Sequence, residues 1–114
     1  MRDFILLRTL SLFENQLTGT IPAFNRFNSL QTLYLEANQL TGNIPSFSGL
    51  NSLQILNLDY NQLTGTVPSF SGLNRLSILL LDNNKFIGNV PDLPAPLEPV
   101  MHLPSLKLKE RKKT

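Results

Sequence analysis

Asparagine recurs at an interval of 23 residues along this 114-residue chain, at Asn15, Asn38, Asn61 and Asn84. Proline and glycine keep the same interval. The prolines are Pro22, Pro45, Pro68 and Pro91, and the glycines are Gly19, Gly42, Gly65 and Gly88. A period of this length is typical of stacked copies of one small unit rather than of a chain wrapped around a single core. The sequence therefore predicts a solenoid.

Alternating leucines precede each of these asparagines. In the third copy Leu56 and Leu58 are separated by one residue, which is the spacing of side chains on one face of a strand. The equivalent pairs are Leu10 and Leu12, Leu33 and Leu35, and Leu79 and Leu81. One short strand per copy, stacked in register, predicts a parallel sheet with strands about 4.8 Å apart. No copy can bury its leucines alone, so stability must come from contacts between neighbours.

Residues 53–63 read LxxLxLxxNxL, and residues 63–68 read LTGTVP. These motifs resemble the leucine-rich repeat, and in particular the plant-type subclass of receptor-like proteins, receptor kinases and polygalacturonase inhibitors. The resemblance covers residues 4–93, although the unit here is one residue shorter than is usual in that subclass. It implies a leucine-rich repeat solenoid of the α/β-type horseshoe class. A parallel β-sheet is then expected on the concave face, with short 3-10 or irregular segments on the convex face.

The repeated polar and aromatic residues are predicted to build the framework. The resemblance implies that the four asparagines form a hydrogen-bonded ladder where the chain leaves the sheet, since an amide offers both a donor and an acceptor. The repeated glycines are expected to adopt a conformation that a residue with a Cβ resists. A further position is filled by Phe24, Phe47, Phe70 and Leu93. Its register is that of core residues, so we expect no nucleic-acid stacking from these rings.

The sequence divides into three parts. Residues 4–93 hold four 23-residue repeats, residues 94–106 are proline-rich and are a candidate cap for the C-terminal edge, and residues 107–114 form a basic tail. Residues 1–106 carry five basic and seven acidic side chains, a net charge of −2, whereas the tail carries five basic and one acidic, a net of +4. The tail could attract nucleic acid, acidic lipid or an import receptor. The interpretation we favour is a solvated end.

Several expected features of extracellular repeat proteins are missing from the sequence. There is no cysteine for a disulfide or thiolate site, no asparagine-linked glycosylation motif, no signal-peptide pattern and no long apolar run. The resemblance implies an extracellular or cell-surface location and cysteine-paired caps, which this sequence lacks. We therefore expect the chain to be a fragment of a larger repeat protein, present as a monomer or as part of a longer chain.

The candidate binding surface is the concave face of the sheet, and it consists of the residues that alternate with the inward leucines, because these side chains point away from the core. Unlike the framework, these positions vary between copies. The resulting partner-binding residues are Thr9, Ser11 and Phe13; Thr32, Tyr34 and Glu36; Ile55, Asn57 and Asp59; and Ile78, Leu80 and Asp82. Tyr34, Ile78 and Leu80 are among those that offer apolar area of the kind that interfaces use as anchors.

Three of the four residues in the last column are acidic, namely Glu36, Asp59 and Asp82. Carboxylates on adjacent strands repel one another, so a partner bearing lysine or arginine would relieve the repulsion. Three stacked carboxylates also suggest a divalent cation. A third reading is that the acidic side chains are solvated and keep the exposed sheet from aggregating.

No catalytic constellation is visible in the sequence. His102 is the only histidine and lies in the proline-rich segment, and no phosphate loop, zinc-ligand pair or nucleophile elbow is present. We therefore expect a non-catalytic protein- or peptide-binding module with no cofactor and no bound metal. The alternative is a set of structural spacer repeats in a longer protein whose enzymatic part, such as a kinase, lies outside this chain.

Overall fold

The computed structural model describes residues 6–24, 26–70, 72–88 and 101–102, and in these ranges it contains nine strands and no helix. None of the described residues forms a helix that could span a membrane. The strands are β1 (Thr9–Ser11), β2 (Thr18–Gly19), β3 (Thr32–Tyr34), β4 (Gln39–Gly42), β5 (Ile55–Asn57), β6 (Gln62–Thr66), β7 (Ile78–Leu80), β8 (Lys85–Ile87) and β9 (Met101–His102).

The odd-numbered strands form one parallel sheet in the order β1-β3-β5-β7-β9. Leu33 pairs with Leu10 on one side and Leu56 on the other, and Leu56 pairs with Leu79, so successive repeats are in register. The predicted side-by-side stacking of one short strand per repeat is confirmed. At the C-terminal edge, β9 pairs with β7 with Met101 opposite Leu79. The rest of the candidate cap, and Leu93, lie outside the described residues.

The even-numbered strands form a second, four-stranded parallel sheet, which the sequence analysis did not predict. The resemblance implies short 3-10 or irregular segments outside the first sheet. Its register advances by 21 residues, with Thr41 opposite Gln62 and Thr64 opposite Lys85. In β6 the buried Leu63 lies between exposed neighbours, which is the alternation of a half-buried strand.

The leucines that precede the asparagines are buried between the two sheets. Leu33, Leu56 and Leu79 have no exposed surface, and Phe47 and Phe70 are almost completely covered. The predictions that these leucines face inward and that the phenylalanines fill the coil are therefore confirmed. Phe24, the equivalent residue of the first coil, is only partly buried and lies 6.3 Å from Phe47 between ring centroids.

Burial falls off at the N-terminal end of the stack. Leu10, Leu12 and Leu17 are only partly buried, although their equivalents in the second to fourth repeats are buried. Leu6 is 81% exposed and Phe13 is 46% exposed. The physical reason is that no described coil lies on that side of β1, so the first repeat shares its apolar surface with one neighbour instead of two.

The predicted asparagine ladder is present and connects each repeat to the one before it. The Asn61 Oδ1 accepts the backbone N–H of Leu40 at 3.0 Å. The Asn61 Nδ2 donates to the carbonyl oxygens of Leu35, Leu58 and Asp59 at 3.0, 3.2 and 3.3 Å. Asn38 and Asn84 bond equivalent groups. Each amide thus satisfies backbone groups of two coils where the chain turns away from the sheet.

Asn15 is the exposed end of the ladder, and this makes it a matched control for Asn61. Its amide makes one local bond among the described residues, from Nδ2 to the Phe13 carbonyl at 3.1 Å.

We expect Asn61→Ala to lower the free energy of unfolding by about 3 kcal/mol, because it leaves a buried N–H and buried carbonyls without partners. Asn15→Ala should cost less than about 1 kcal/mol, since its one bond is exposed. Urea denaturation followed by circular dichroism measures both values. Equal losses for the two variants would contradict the structural role of the ladder.

The repeated glycines have positive φ, as predicted, with 80° at Gly65. A Cβ built on Gly65 would also collide with the side-chain amide of Asn43 in the preceding coil. Gly72 differs in both respects: its φ is not in the left-handed region, and a Cβ there would meet open space. Gly65 is therefore a position that requires glycine, whereas Gly72 is one where alanine should be tolerated.

Gly65→Ala is expected to lower the free energy of unfolding by about 1–2 kcal/mol from backbone strain alone, with the displaced Asn43 amide adding to the loss. Gly72→Ala should be neutral or stabilise by up to about 1 kcal/mol, because alanine restricts the unfolded chain. Thermal and urea denaturation of the two full-length variants provide the comparison. A Gly65→Ala protein as stable as the parent would refute the strain argument.

Candidate functional site

The strand register brings the predicted surface residues together in columns. The first column contains Thr9, Thr32, Ile55 and Ile78, and the second contains Ser11, Tyr34, Asn57 and Leu80. Residues of the second to fourth repeats in these columns are partly exposed, whereas Thr9 and Ser11 of the first repeat are exposed. Because the intervening leucines are buried, the two columns lie on the face of the sheet that points away from the core.

The residues of the third column lie two positions beyond the ends of the strands, and their backbone remains paired between repeats. The N–H of Ala37 donates to the Asp59 carbonyl, and the N–H of Tyr60 donates to the Asp82 carbonyl, both at 3.0 Å. Glu36, Asp59 and Asp82 are therefore carried by adjacent paired segments. We call these three residues the acidic column. Phe13 occupies the equivalent position in the first repeat, so the third column as a whole begins with an apolar residue.

Hydrogen bonding differs within the acidic column. The Asp59 Oδ1 accepts the backbone N–H of Asp82 at 2.7 Å, a short charge-assisted bond that joins two coils. The Glu36 Oε1 and the Asp82 Oδ1 are buried, and the described residues offer neither of them a hydrogen-bond donor. Buried carboxylate oxygens without donors are costly, so a donor or cation close to this column would be favourable.

The acidic column does not have the arrangement of a metal site. Within the described ranges, no group of three or more histidine, cysteine, aspartate or glutamate side chains could hold an ion. The described side chains thus give the divalent-cation reading no support. The Asp59 carboxylate is instead engaged with the backbone of the next coil.

Immediately after the acidic column the chain turns through a left-handed residue, which the sequence analysis missed. The residues with positive φ at this position are Glu14, Ala37, Tyr60 and Asn83. Only asparagine commonly adopts this conformation, so residue type gave little signal, although the 23-residue interval is kept. The turn leaves Tyr60 61% exposed next to Asp59, and it adds an aromatic ring to the rim of the predicted surface.

The face combines apolar and charged side chains. Tyr34, Ile55, Ile78 and Leu80 provide half-buried apolar area in the middle of the face, and the acidic column borders that area on one side. His102 is placed by the backbone of β9, beside Leu80 at the C-terminal edge. Apolar area bordered by charge is typical of recognition surfaces.

Two family models match the chain. One, described as leucine rich repeat, matches residues 44–86, and the other, described as leucine rich repeats in two copies, matches residues 5–51. Together they span residues 5–86. No curated protein matches the chain at a significant level.

Solved structures of receptor proteins are similar to this chain. The LRR ectodomain of the membrane receptor kinase GASSHO1/SCHENGEN3 from Arabidopsis thaliana, solved in complex with CASPARIAN STRIP INTEGRITY FACTOR 2, is 38% identical with a TM-score of 0.71. The match covers 74% of this chain and 10% of that chain. A Pollen Receptor Kinase 3 is 30% identical with a TM-score of 0.76, covering 90% and 52%. A TDR receptor is 33% identical with a TM-score of 0.69, covering 83% and 17%.

Proposed function

This chain belongs to the leucine-rich repeat family, and we propose that it is a non-catalytic module that binds a protein or peptide. The binding surface is the face of the five-stranded sheet that points away from the core, which we call the outer face. The observation that carries the proposal is that each repeat combines constant framework positions with variable surface positions. Inward leucines and ladder asparagines are the same in successive coils, whereas the outward positions change from Thr32 and Tyr34 to Ile55 and Asn57. A constant framework with a varied surface suits recognition of one partner.

The similar receptor ectodomain from Arabidopsis supports this proposal by analogy. That protein was solved in complex with CASPARIAN STRIP INTEGRITY FACTOR 2, and it shares the fold at 38% identity. The chain covers only 10% of that ectodomain, so the partner of the larger protein does not transfer to this chain. What transfers to the proposal is a mode of binding in which stacked repeats present their surface to another molecule.

We further propose that the partner is basic. Glu36 and Asp82 each hold a buried oxygen without a donor, and Asp59 lies between them on the paired backbone. A lysine or arginine side chain near the acidic column would lower the repulsion among these carboxylates. Apolar side chains of the same partner would cover Tyr34 and Leu80, where burial of apolar area supplies most of the affinity.

The test is selection of binding peptides from a random 12-residue display library against the full chain at low salt. Selected peptides are expected to be rich in lysine or arginine together with aromatic or aliphatic residues. The double variant Asp59→Asn/Asp82→Asn should bind them about threefold to tenfold more weakly, which corresponds to the loss of two surface charge contacts. Asparagine at position 59 keeps an acceptor for the Asp82 N–H, so the fold is preserved. Fluorescence polarisation measures the affinities.

The matched control is Gln39→Lys/Gln62→Lys, which changes the net charge by the same amount on exposed positions of the second sheet. It should leave the affinity within about twofold at moderate salt, where distant charges are screened. Equal weakening by both variants would show that only net charge matters and would exclude this face. Failure to select any peptide would favour the structural spacer alternative.

A further inference from the structure

We infer that the basic tail of this chain, residues 107–114, docks on the acidic column and the adjoining apolar face when no partner is bound, in place of the solvated end that the sequence alone favours. The inference deepens the proposed function because it assigns an internal competitor to the same face, but it can be tested without any external partner. Three features support it: opposite charge, the place where β9 ends, and the apolar residues that accompany the basic ones.

Charge is separated along this chain. The tail has a net charge of +4, and residues 1–106 have a net charge of −2. Glu36, Asp59 and Asp82 are three of the four acidic side chains that the structure describes, and they are gathered at one end of one sheet face. Two of them hold buried oxygens that lack a donor. Five lysine and arginine side chains are a source of such donors.

The last described strand, β9, ends close to the acidic column. Strand β9 runs parallel to β7, and His102 lies opposite Leu80, two residues before Asp82. The chain therefore leaves its last described residue beside the strand that leads into Asp82, and it points in the same direction. The tail begins at Lys107, five residues beyond His102.

The distances are compatible with docking in the same molecule. Five residues reach at most about 17 Å when fully extended. From β9, Asp82 is one strand away and Glu36 is three strands away, or about 14 Å at 4.8 Å per strand. The eight residues of the tail extend this reach further, so every carboxylate of the acidic column is accessible.

The composition of the tail also suits the face. Leu108 lies between Lys107 and Lys109, and Leu106 immediately precedes the tail, so this part of the chain offers apolar and basic side chains together. The face offers half-buried apolar residues bordered by the acidic column. A basic partner must displace the tail, and its apparent affinity is therefore reduced by the fraction of molecules in which the face is free.

The experiment is a distance measurement on the full chain by paramagnetic relaxation. The sequence contains no cysteine, so Thr114→Cys provides one thiol for a nitroxide label. At 0.01 M salt we expect strong relaxation of the amides at 57–60 and 80–83. At 1 M salt the relaxation should fall about threefold or more, because the Debye length shortens from about 30 Å to about 3 Å.

Two full-length variants with the same label complete the test. Replacing Lys107, Lys109, Arg111, Lys112 and Lys113 by glutamine should reduce the relaxation about as much as high salt does, and it changes no residue of the described fold. Glu36→Gln/Asp59→Asn/Asp82→Asn should have the same effect. Amides of the second sheet, such as those of Gln39 and Gln62, should remain weakly affected throughout.

Weak relaxation of the face at 0.01 M salt would overturn the inference, and so would relaxation that persists after the tail is neutralised. Relaxation that grows with protein concentration would also overturn it, because the tail of a second copy would then be the occupant. No external peptide is present, so these outcomes are independent of the peptide selection. A docked tail with no selected peptide would contradict only the proposed function.

Discussion

The side-chain amide of the repeated asparagine is the interaction on which the rest of this structure depends. Each coil must turn away from the sheet through buried backbone, and Asn61 satisfies an N–H of one coil and carbonyls of two. Without that amide, the buried polar groups at each turn would cost about 1–3 kcal/mol apiece. Because the ladder fixes how far one coil advances on the next, it also fixes the strand register and hence the columns of the outer face.

Much of the fold could be predicted from the sequence because its constraints recur in residue type. The asparagine ladder, the inward leucines and the positive φ of Gly65 each require one kind of side chain, so the 23-residue interval reveals them. The left-handed turn at Ala37 and Tyr60 recurs in conformation but not in residue type. Sequence pattern carries little sign of it, because alanine and tyrosine rarely adopt this conformation.

The second sheet is likewise a feature that residue type alone does not determine. In Gln62–Thr66 the buried Leu63 lies between the exposed Gln62 and Thr64, which is a strand signal, but the glycine and the following proline favour an irregular segment. Stacking favours the strand over the irregular segment, because each short strand gains hydrogen bonds only when the equivalent segment of the next coil lies beside it. The columns of the outer face were predictable in register, whereas the bond from the Asp82 N–H to Asp59 depends on side-chain geometry.

That bond gives Asp59 two roles. The third column, in addition, gives the sheet face two chemically different ends. The carboxylate joins two coils through the Asp82 N–H and at the same time supplies charge to the acidic column. Along this column the face changes from Phe13, which is 46% exposed, to carboxylates in the next three repeats. Under the proposed function, a ligand lying across the strands meets an apolar end and an acidic end. A ligand with basic residues at one end therefore fits in a single orientation, since reversing it would place its charges against the apolar end.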